Sequence, residues 1–474
     1  MPSLRGFVLS AVRLIPEVEP PKKRVVLRSK FFWTALVLLA YFILAEIPIY
    51  GASERAKDYF ASFRFILAGN AGSLIDLGIG PIVTAGIVME ILVGGKLIKL
   101  DLSDPEDRKV FQASQKLLGI IVILVEATVY VLSGRFGRIG AQISRAMAAA
   151  IILQLFIGSF LLMMLDELCS RWGIGSGISL FILASVAQEV VWKSFSPLKV
   201  RYPELGEVVV GAFPALILEG PAAVSRSYAP NVVGFIATLI AFAMVIVAFN
   251  VYINVPLAYT RYGGYRGKYP IKLLYVSNIP IIFGAAFFAE LSLVSRILWE
   301  KFGYSSSKLA STVVRVFGVY NYTRYGDIVP VSGLAYYLTP PRGLSSVFMY
   351  PVKTLIYTLL LIIVCIAFSV MWVYTAGMDA DSVATQLVKS GLQIPGSRAS
   401  PRIIAQRLRR YINAVTILGG LFIALLSAFA DMLGALGTGS GILLAVSILY
   451  SFYEILMRER LEEMYPVVRR IFGR

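Results

Sequence analysis

The stretch "LGIGPIVTAGIVME" (residues 77–90) decides the fold, because it interrupts a segment that otherwise has the composition of a membrane span. It opens with two glycines and Pro81, which weaken helices, and it carries a hydroxyl at Thr84 and a carboxylate at Glu90. Irregular backbone at membrane depth is tolerated only where it meets protein or water instead of lipid. The break therefore indicates a pore or a binding site inside a membrane protein.

The composition supports the membrane assignment. Of the 474 residues, 57% are hydrophobic and 15% are charged, whereas soluble domains have about 45–50% apolar and about 25% charged residues. The runs "FFWTALVLLAYFILAEIPIY" (31–50) and "LIYTLLLIIVCIAFSVMWVY" (355–374) each reach the roughly 20 residues that cross a hydrocarbon core. No cleavable signal peptide is expected, because the first apolar run is too long and lacks a cleavage site.

Two features of the composition narrow the chemistry. The chain has no histidine and two cysteines, which excludes histidine-based triads and histidine-ligated metals. We therefore predict no catalytic residue, no metal and no cofactor. The net charge of +17 indicates anionic lipid headgroups or a nucleic acid such as RNA as a partner.

The apolar runs predict ten membrane spans. They cover residues 31–50, 78–94, 111–132, 146–168, 177–195, 232–253, 277–298, 352–374, 411–430 and 440–457. An even number puts both termini on one side, and most of the 45 lysines and arginines lie on the faces shared with the termini, so we expect these faces to be cytoplasmic. The predicted divisions are a cytoplasmic segment 1–30, an N-terminal half 31–195, an external loop 196–230, a C-terminal half 231–457 and a cytoplasmic tail 458–474.

The break at Pro81 recurs in the second half of the chain. "GIGPIVTAG" (78–86) and "SNIPIIFGA" (277–285) share a proline followed by aliphatics and glycine, and they fall in the second and seventh spans. Two halves of five spans each would have opposite orientations in the membrane, because five is an odd number. This arrangement is an inverted repeat. The alternative is that both prolines merely kink ordinary membrane helices.

A short amphipathic segment precedes the break. In "RAKDYFASFRFILAGN" (55–70), apolar residues recur at helical spacing on one face; they include Tyr59, Phe60, Phe63, Ile66 and Leu67. The segment is too short and too charged to span. Periodicity favours a helix lying on the membrane interface over a re-entrant segment that fills a cavity.

Five segments resemble the SecY family, whose members form the channel of the protein-conducting translocon. They are "LGIGPIVTAGIVMEILVG" (77–94), "GIGSGISLFILA" (173–184), "GKYPIKLLYVSNIPIIF" (267–283), "IPGSRASPRIIAQRLRRYI" (394–412) and "GTGSGILLAVSILYSFYE" (437–454). They occur in order over nearly the whole chain, and their sequences are similar to those of archaeal members.

The resemblance implies an all-α polytopic membrane protein with ten transmembrane helices in two inverted five-helix halves around an hourglass pore. It implies that residues 55–70 form a re-entrant plug helix, in place of the interfacial helix that periodicity favours. It also implies an apolar ring at the waist, made of Ile79, Val83, Ile178, Ile182, Ile282 and Leu443. Ordinary core packing is the alternative reading of these aliphatics.

The resemblance also implies a lateral gate and a set of partners. Thr84 and Asn278 are expected at a polar gate seam. The basic loops 255–272 and 377–411 are expected to bind ribosomal RNA through Arg261, Arg266, Lys268, Arg398 and Arg402, although positive-inside topology alone explains many such loops. Further expected partners are SecE-type and Secβ-type small membrane subunits, signal sequences and nascent polypeptides, the signal recognition particle pathway and lipids of the plasma membrane.

Three functions compete at this point. The first is the pore-forming subunit of a protein translocase, which conducts secretory polypeptides and releases membrane segments sideways into lipid. It would depend on an external motor, because the chain has no GxxxxGKS/T phosphate-binding motif. The second is a secondary transporter with inverted repeats. The third is an intramembrane enzyme using "GIGSG" (173–177) as a nucleophile turn, which the lack of histidine disfavours.

Overall fold

The computed structural model describes most of the chain between residues 15 and 464. The described residues are 15–52, 64, 67–95, 97–98, 100, 104–133, 136, 144–202, 206–224, 226, 229–259, 266–276, 279–303, 307–322, 328–341, 343–389, 392–393 and 400–464. Most of the predicted plug and part of each predicted cytoplasmic loop lie outside these ranges.

Within the described residues, nine helices are long and apolar enough to cross a membrane, and a tenth apolar helix, α2, has only 15 residues. In chain order the ten are α1 (Leu27–Glu46), α2 (Gly80–Gly94), α3 (Pro105–Leu132), α4 (Arg145–Trp172), α5 (Gly177–Phe195), α7 (Val232–Phe249), α8 (Ile279–Phe302), α12 (Pro351–Thr375), α14 (Pro401–Met432) and α15 (Gly439–Met464). Each overlaps one of the ten spans predicted from the sequence.

The segments between the spans hold shorter elements. The helices are α6 (Ala212–Glu219), a 3₁₀ turn (Gly220–Val224), α9 (Lys308–Phe317), α10 (Leu334–Leu338), α11 (Gly343–Met349) and α13 (Ala380–Lys389). The strands are β1 (Lys199–Tyr202), β2 (Gly206–Val209), β3 (Tyr252–Tyr259), β4 (Arg266–Lys272), β5 (Val319–Tyr322), β6 (Ile328–Ser332) and β7 (Leu392–Gln393). The membrane part is all-α as predicted, and the strands were not predicted.

Prolines and polar caps set where the helices begin. Pro81, Pro105, Pro351 and Pro401 each lie in the first turn of a helix, where a missing N–H costs nothing. The first span differs from its prediction of 31–50, because α1 ends at Glu46. The following Pro48 forces the preceding residue into an extended conformation, which stops the helix.

The helices pack around one apolar centre and present apolar faces outward. The largest hydrophobic cluster draws buried residues from both halves of the chain, including Phe181 of α5 and Phe288 of α8. By contrast, Leu355, Leu359 and Ile363 of α12 recur at helical spacing and are exposed. A continuous exposed apolar face of this kind fits lipid. The chain is therefore a multi-pass membrane protein.

The antiparallel sheet at the α7–α8 connection joins two distant parts of the chain. β3 pairs with β4, from Tyr252 opposite Lys272 to Ala258 opposite Arg266. β7, about 130 residues further on, adds to the other edge of β3, with Ala258 opposite Gln393. The strand order β4-β3-β7 therefore brings the two predicted basic loops together.

Close helix packing in the N-terminal half predicts a sharp difference between two mid-helix glycines. A Cβ at Gly158 of α4 would lie 1.9 Å from the Leu74 carbonyl oxygen, whereas a Cβ at Gly119 of α3 would meet nothing closer than 3.7 Å. We expect Gly158→Ala to destabilise the protein by about 1–3 kcal/mol, the usual cost of overpacking. Gly119→Ala is the matched control and should be tolerated. Thermal unfolding in detergent measures both, and equal midpoints would contradict the packing described here.

Candidate functional site

The break at residues 78–81 is a sharp turn that brings two segments into contact. Gly78 has a φ of +60°, and a Cβ at this position would lie 2.1 Å from the Leu67 carbonyl oxygen. That oxygen accepts a hydrogen bond of 2.7 Å from the Ile79 N–H, immediately before α2 begins. Only glycine fits this close approach. The glycine therefore allows residue 67 to rest on the start of α2.

The segment before the turn is fastened by a buried ion pair. Arg64 Nη1 donates to Asp76 Oδ1 at 2.9 Å, and the Asp76 side chain is fully buried. The other carboxylate oxygen accepts from the Gly72 N–H at 3.1 Å. The Tyr41 hydroxyl of α1 donates to the Ala68 carbonyl at 3.2 Å. The described part of the segment is thus tied both to itself and to α1.

This segment is the C-terminal end of the predicted plug. Leu67 is buried in the main apolar cluster, and its role in a plug stays a prediction. The other predicted plug residues lie outside the described part of the chain: Tyr59, Phe60, Phe63 and Ile66.

The predicted ring residues belong to the same apolar cluster. Buried members of it are Ile79 and Val83 at the start of α2, Ile182 of α5, Ile282 of α8 and Leu443 of α15. Ile178 of α5 is partly buried and packs against the same cluster. Four helices from both halves of the chain thus contribute to one apolar centre. Their lining a pore remains a prediction.

Polar groups converge where α2 meets α8. Thr84 Oγ1 of α2 donates to Glu290 Oε1 of α8 at 3.3 Å. A Cβ at Gly80 would lie 3.9 Å from Glu290 Oε1 and 4.0 Å from Glu126 Oε2 of α3, so both carboxylates point at the start of α2. The predicted seam residue Asn278 lies outside the described residues. Sequence reasoning missed Glu290, although a carboxylate inside a predicted span was a signal that could have found it.

The sheet β4-β3-β7 carries the predicted RNA-binding segments. Its Val255 and Ile271 pack against Val383 of α13 and Leu408 of α14 in a second apolar cluster, which holds the sheet on the ends of the helices. Arg266 and Lys268 belong to strand β4, and Arg402 is exposed in the first turn of α14. Arg261 and Arg398 lie outside the described residues.

The N-terminal segment lies across the ends of α3 and α4. Arg171 of α4 bonds Glu17, and this hydrogen bond holds the pKa of that carboxyl below its usual value. Lys116 of α3 donates to the Pro16 carbonyl at 3.0 Å, and the Trp172 indole donates to the Glu19 carbonyl at 2.9 Å. The residues before α1 are thereby held on the same face as the start of α3.

The "GIGSG" stretch is a capping turn between α4 and α5. Asp166 Oδ1 accepts from the Ile178 N–H at 2.8 Å and from the Ser176 hydroxyl at 3.2 Å. Gly175 has a φ of +70°. These contacts show that the glycines and Ser176 form the turn that begins α5.

Comparisons with known proteins agree with this arrangement. Residues 73–453 match the SecY family, and residues 39–72 match the plug domain of Sec61p. The protein translocase subunit SecY of Pyrococcus furiosus is 45% identical over 479 residues, an alignment that covers 99% of each chain.

Two solved structures resemble the whole chain. The first, described as the structure of a protein conducting channel, has a TM-score of 0.79 at 39% identity and covers 97% of this chain and 99% of its own. The second, Sec61 in the canine ribosome-channel complex from the endoplasmic reticulum, has a TM-score of 0.76 at 38% identity with the same coverage.

The fold and the site define a class of helical membrane proteins whose spans enclose an apolar centre with a short segment folded back against it. The full-length matches confirm the predicted fold class. The chain belongs to the SecY family.

The ion pair between Arg64 and Asp76 generates a test of the plug. We expect Asp76→Asn to make reconstituted channels leak ions, because breaking a buried pair costs about 3–5 kcal/mol and loosens the segment. Asp381→Asn is the matched control, since Asp381 pairs with Arg409 at 2.8 Å with both side chains more than half exposed, where pairs are worth about 0–1 kcal/mol. Ion conductance across planar bilayers measures the leak. Equal conductance in the two variants would show that the pair does not hold the seal.

Proposed function

We propose that the chain is the central pore-forming subunit of a protein translocase, which conducts secretory polypeptides and releases membrane segments into lipid through a lateral gate. The observation that carries this proposal is the apolar centre to which four helices contribute the six predicted ring residues. The full-length similarity of the chain to translocase subunits also supports the proposal.

The chemistry of the ring residues suits the passage of diverse side chains. Aliphatic groups offer no hydrogen bonds to water, so a narrow constriction made of them tends to lose its water and exclude ions. They also bind no particular polar substrate strongly. In the closed state the pore would be blocked by ring side chains such as Ile79, Val83 and Ile282. These side chains would move aside when a polypeptide passes.

The seam between α2 and α8 is the proposed lateral gate. The two helices contact each other, and their polar contact is the hydrogen bond between Thr84 and Glu290. Polar groups in the seam reduce the apolar area that is buried in the closed state. Opening the seam therefore exposes less apolar surface and costs less free energy. An apolar signal sequence that binds the open seam would therefore shift the equilibrium toward opening.

The proposed partners follow from the sheet and from the family. The β4-β3-β7 sheet and Arg402 would contact ribosomal RNA, and the similarity to Sec61 of a ribosome-channel complex supports this surface as the docking site. SecE-type and Secβ-type subunits and the signal recognition particle pathway would complete the system. Both termini would be cytoplasmic and the membrane would be the plasma membrane.

Translocation by this chain would be conduction and not catalysis. The family resemblance implies a channel role, and the driving force would come from a ribosome or another motor. The secondary transporter is the weaker alternative, because the relatives that match over the full length are translocase subunits.

A site-specific crosslink tests the pore directly. We would place a photoreactive residue at Ile79 or Ile282 and stall a half-translocated secretory chain on the ribosome. We expect adducts to the nascent chain from both positions. Val88 of α2 and Phe287 of α8 are exposed positions on the same helices and serve as matched controls that should label lipid. Equal labelling of the nascent chain at ring and control positions, or none at the ring positions, would reject the pore assignment.

Charge reversal tests the docking surface. We expect Arg402→Glu to weaken ribosome binding and to lower the salt dependence of the affinity by about one phosphate contact. Lys199→Glu, an exposed change in β1 outside the proposed docking surface, is the control. Cosedimentation with ribosomes at several salt concentrations measures both variants. Unchanged affinity and salt slope for Arg402→Glu would remove this residue from the surface.

A further inference from the structure

Helix α9 has two apolar faces, and only one of them is packed against the protein. Val314 is buried in a small cluster with Trp299, Tyr320 and Ala335. Leu309, Val313 and Val316 recur at helical spacing on another face and are 82%, 41% and 62% exposed. A second apolar face of this size on a ten-residue helix calls for a partner.

The helix folds back along α8 toward the membrane. A Cβ at Gly318, the residue after α9, would lie 2.5 Å from Ser295 Oγ of α8. The Tyr320 hydroxyl reaches further and donates to the Ser292 carbonyl at 3.1 Å. Ser295 lies seven residues before the end of α8 at Phe302, which corresponds to about 10 Å along the helix axis. The C-terminal end of α9 therefore lies beside α8, about 10 Å before the C-terminal end of α8.

That depth corresponds to the membrane interface. With 24 residues, α8 is about 36 Å long, which exceeds the roughly 30 Å of a hydrocarbon core. Its last turns contain Arg296 and Glu300, whose charged atoms lie 3.9 Å apart. A core of that thickness takes about 20 residues of helix, so a core that begins at Ile279 ends close to Trp299, against which Val314 of α9 packs. α9 thus lies at the level of the headgroup region, beside this end of α8.

The charges on α9 match a lipid surface. Lys308 and Arg315 are exposed and share one edge of the helix, beside the Leu309–Val313–Val316 face. α9 has no acidic residue. An apolar face flanked by basic side chains is typical of helices that lie in the interface of a bilayer, with the apolar face toward the acyl chains and the cations among anionic headgroups.

We propose that α9 is an interfacial anchor, which inserts Leu309, Val313 and Val316 into the acyl boundary of the bilayer beside α8 and binds anionic headgroups through Lys308 and Arg315. The exposed face of α9 then continues the lipid-facing surface of α8, where Val294, five residues before Trp299, is exposed. Because α9 packs on Trp299, the bilayer surface gains a direct contact with the outer end of one gate helix.

Residues on opposite sides of α9 provide the test. We would place a nitroxide label at Val316→Cys and, as the matched control on the opposite side of α9, at Ser311→Cys, in the full chain reconstituted into vesicles of phosphatidylglycerol and phosphatidylcholine. The native cysteines, Cys169 and Cys365, are buried and leave the introduced thiol as the accessible one. Power-saturation measurements give the ratio of collisions with oxygen, which concentrates in lipid, to collisions with a water-soluble nickel chelate.

We expect this ratio to be several-fold higher at Val316 than at Ser311, and Val313→Cys to behave as Val316→Cys does. Frequent collisions with the nickel chelate at both valines would place the face in water and overturn the proposal. Few collisions with either reagent would also overturn it, because that result means that another protein or a second copy covers the face. The outcome does not depend on polypeptide passage, so it is separate from the crosslinking result.

Discussion

The constraint that governs this structure is that lipid offers no hydrogen bonds to an exposed backbone. Nine of the ten spans in the described residues satisfy it by being long helices. The irregular segment before α2 satisfies it through protein contacts, since the N–H groups of Ile49, Leu74, Gly78 and Ile79 each donate to a neighbouring carbonyl at 2.7–3.0 Å. A non-helical stretch at this depth can persist because α1 and α4 surround it.

The second organising feature is the pairing of distant segments at the ends of the helices. Strand β7 contributes only two residues to its sheet, yet its pairing with β3 brings together two basic regions that are far apart in sequence. The apolar cluster beneath the sheet fixes it on α13 and α14. The two segments of the proposed docking surface are thus held together by backbone hydrogen bonds and by burial.

The sequence predicts the spans and the break well, because both are local signals. Each span is about twenty apolar residues, and Gly78 and Pro81 mark the turn by their backbone preferences. The end of α1 shifts because Pro48 stops the helix earlier than hydropathy indicates. The carboxylate of Glu290 lies inside a predicted span and was an overlooked local signal, but its contact with Thr84 could not be predicted, because the two residues are 206 positions apart. The strand pairing and the fold-back of α9 were missed for the same reason, since they depend on contacts between residues that no local pattern connects.

The hydrogen bond from the Ile79 N–H to the Leu67 carbonyl has a thermodynamic consequence. It joins the segment around Leu67 to Ile79, the residue immediately before α2, which is the helix that also carries Thr84. Displacing that segment leaves a donor unsatisfied at the start of α2, and moving α2 strains the same bond. The two motions are therefore linked, and by reciprocity each must alter the free energy of the other by an equal amount. Under the proposed function, sealing by this segment and sideways opening at α2 would be coupled equilibria that share a single glycine turn.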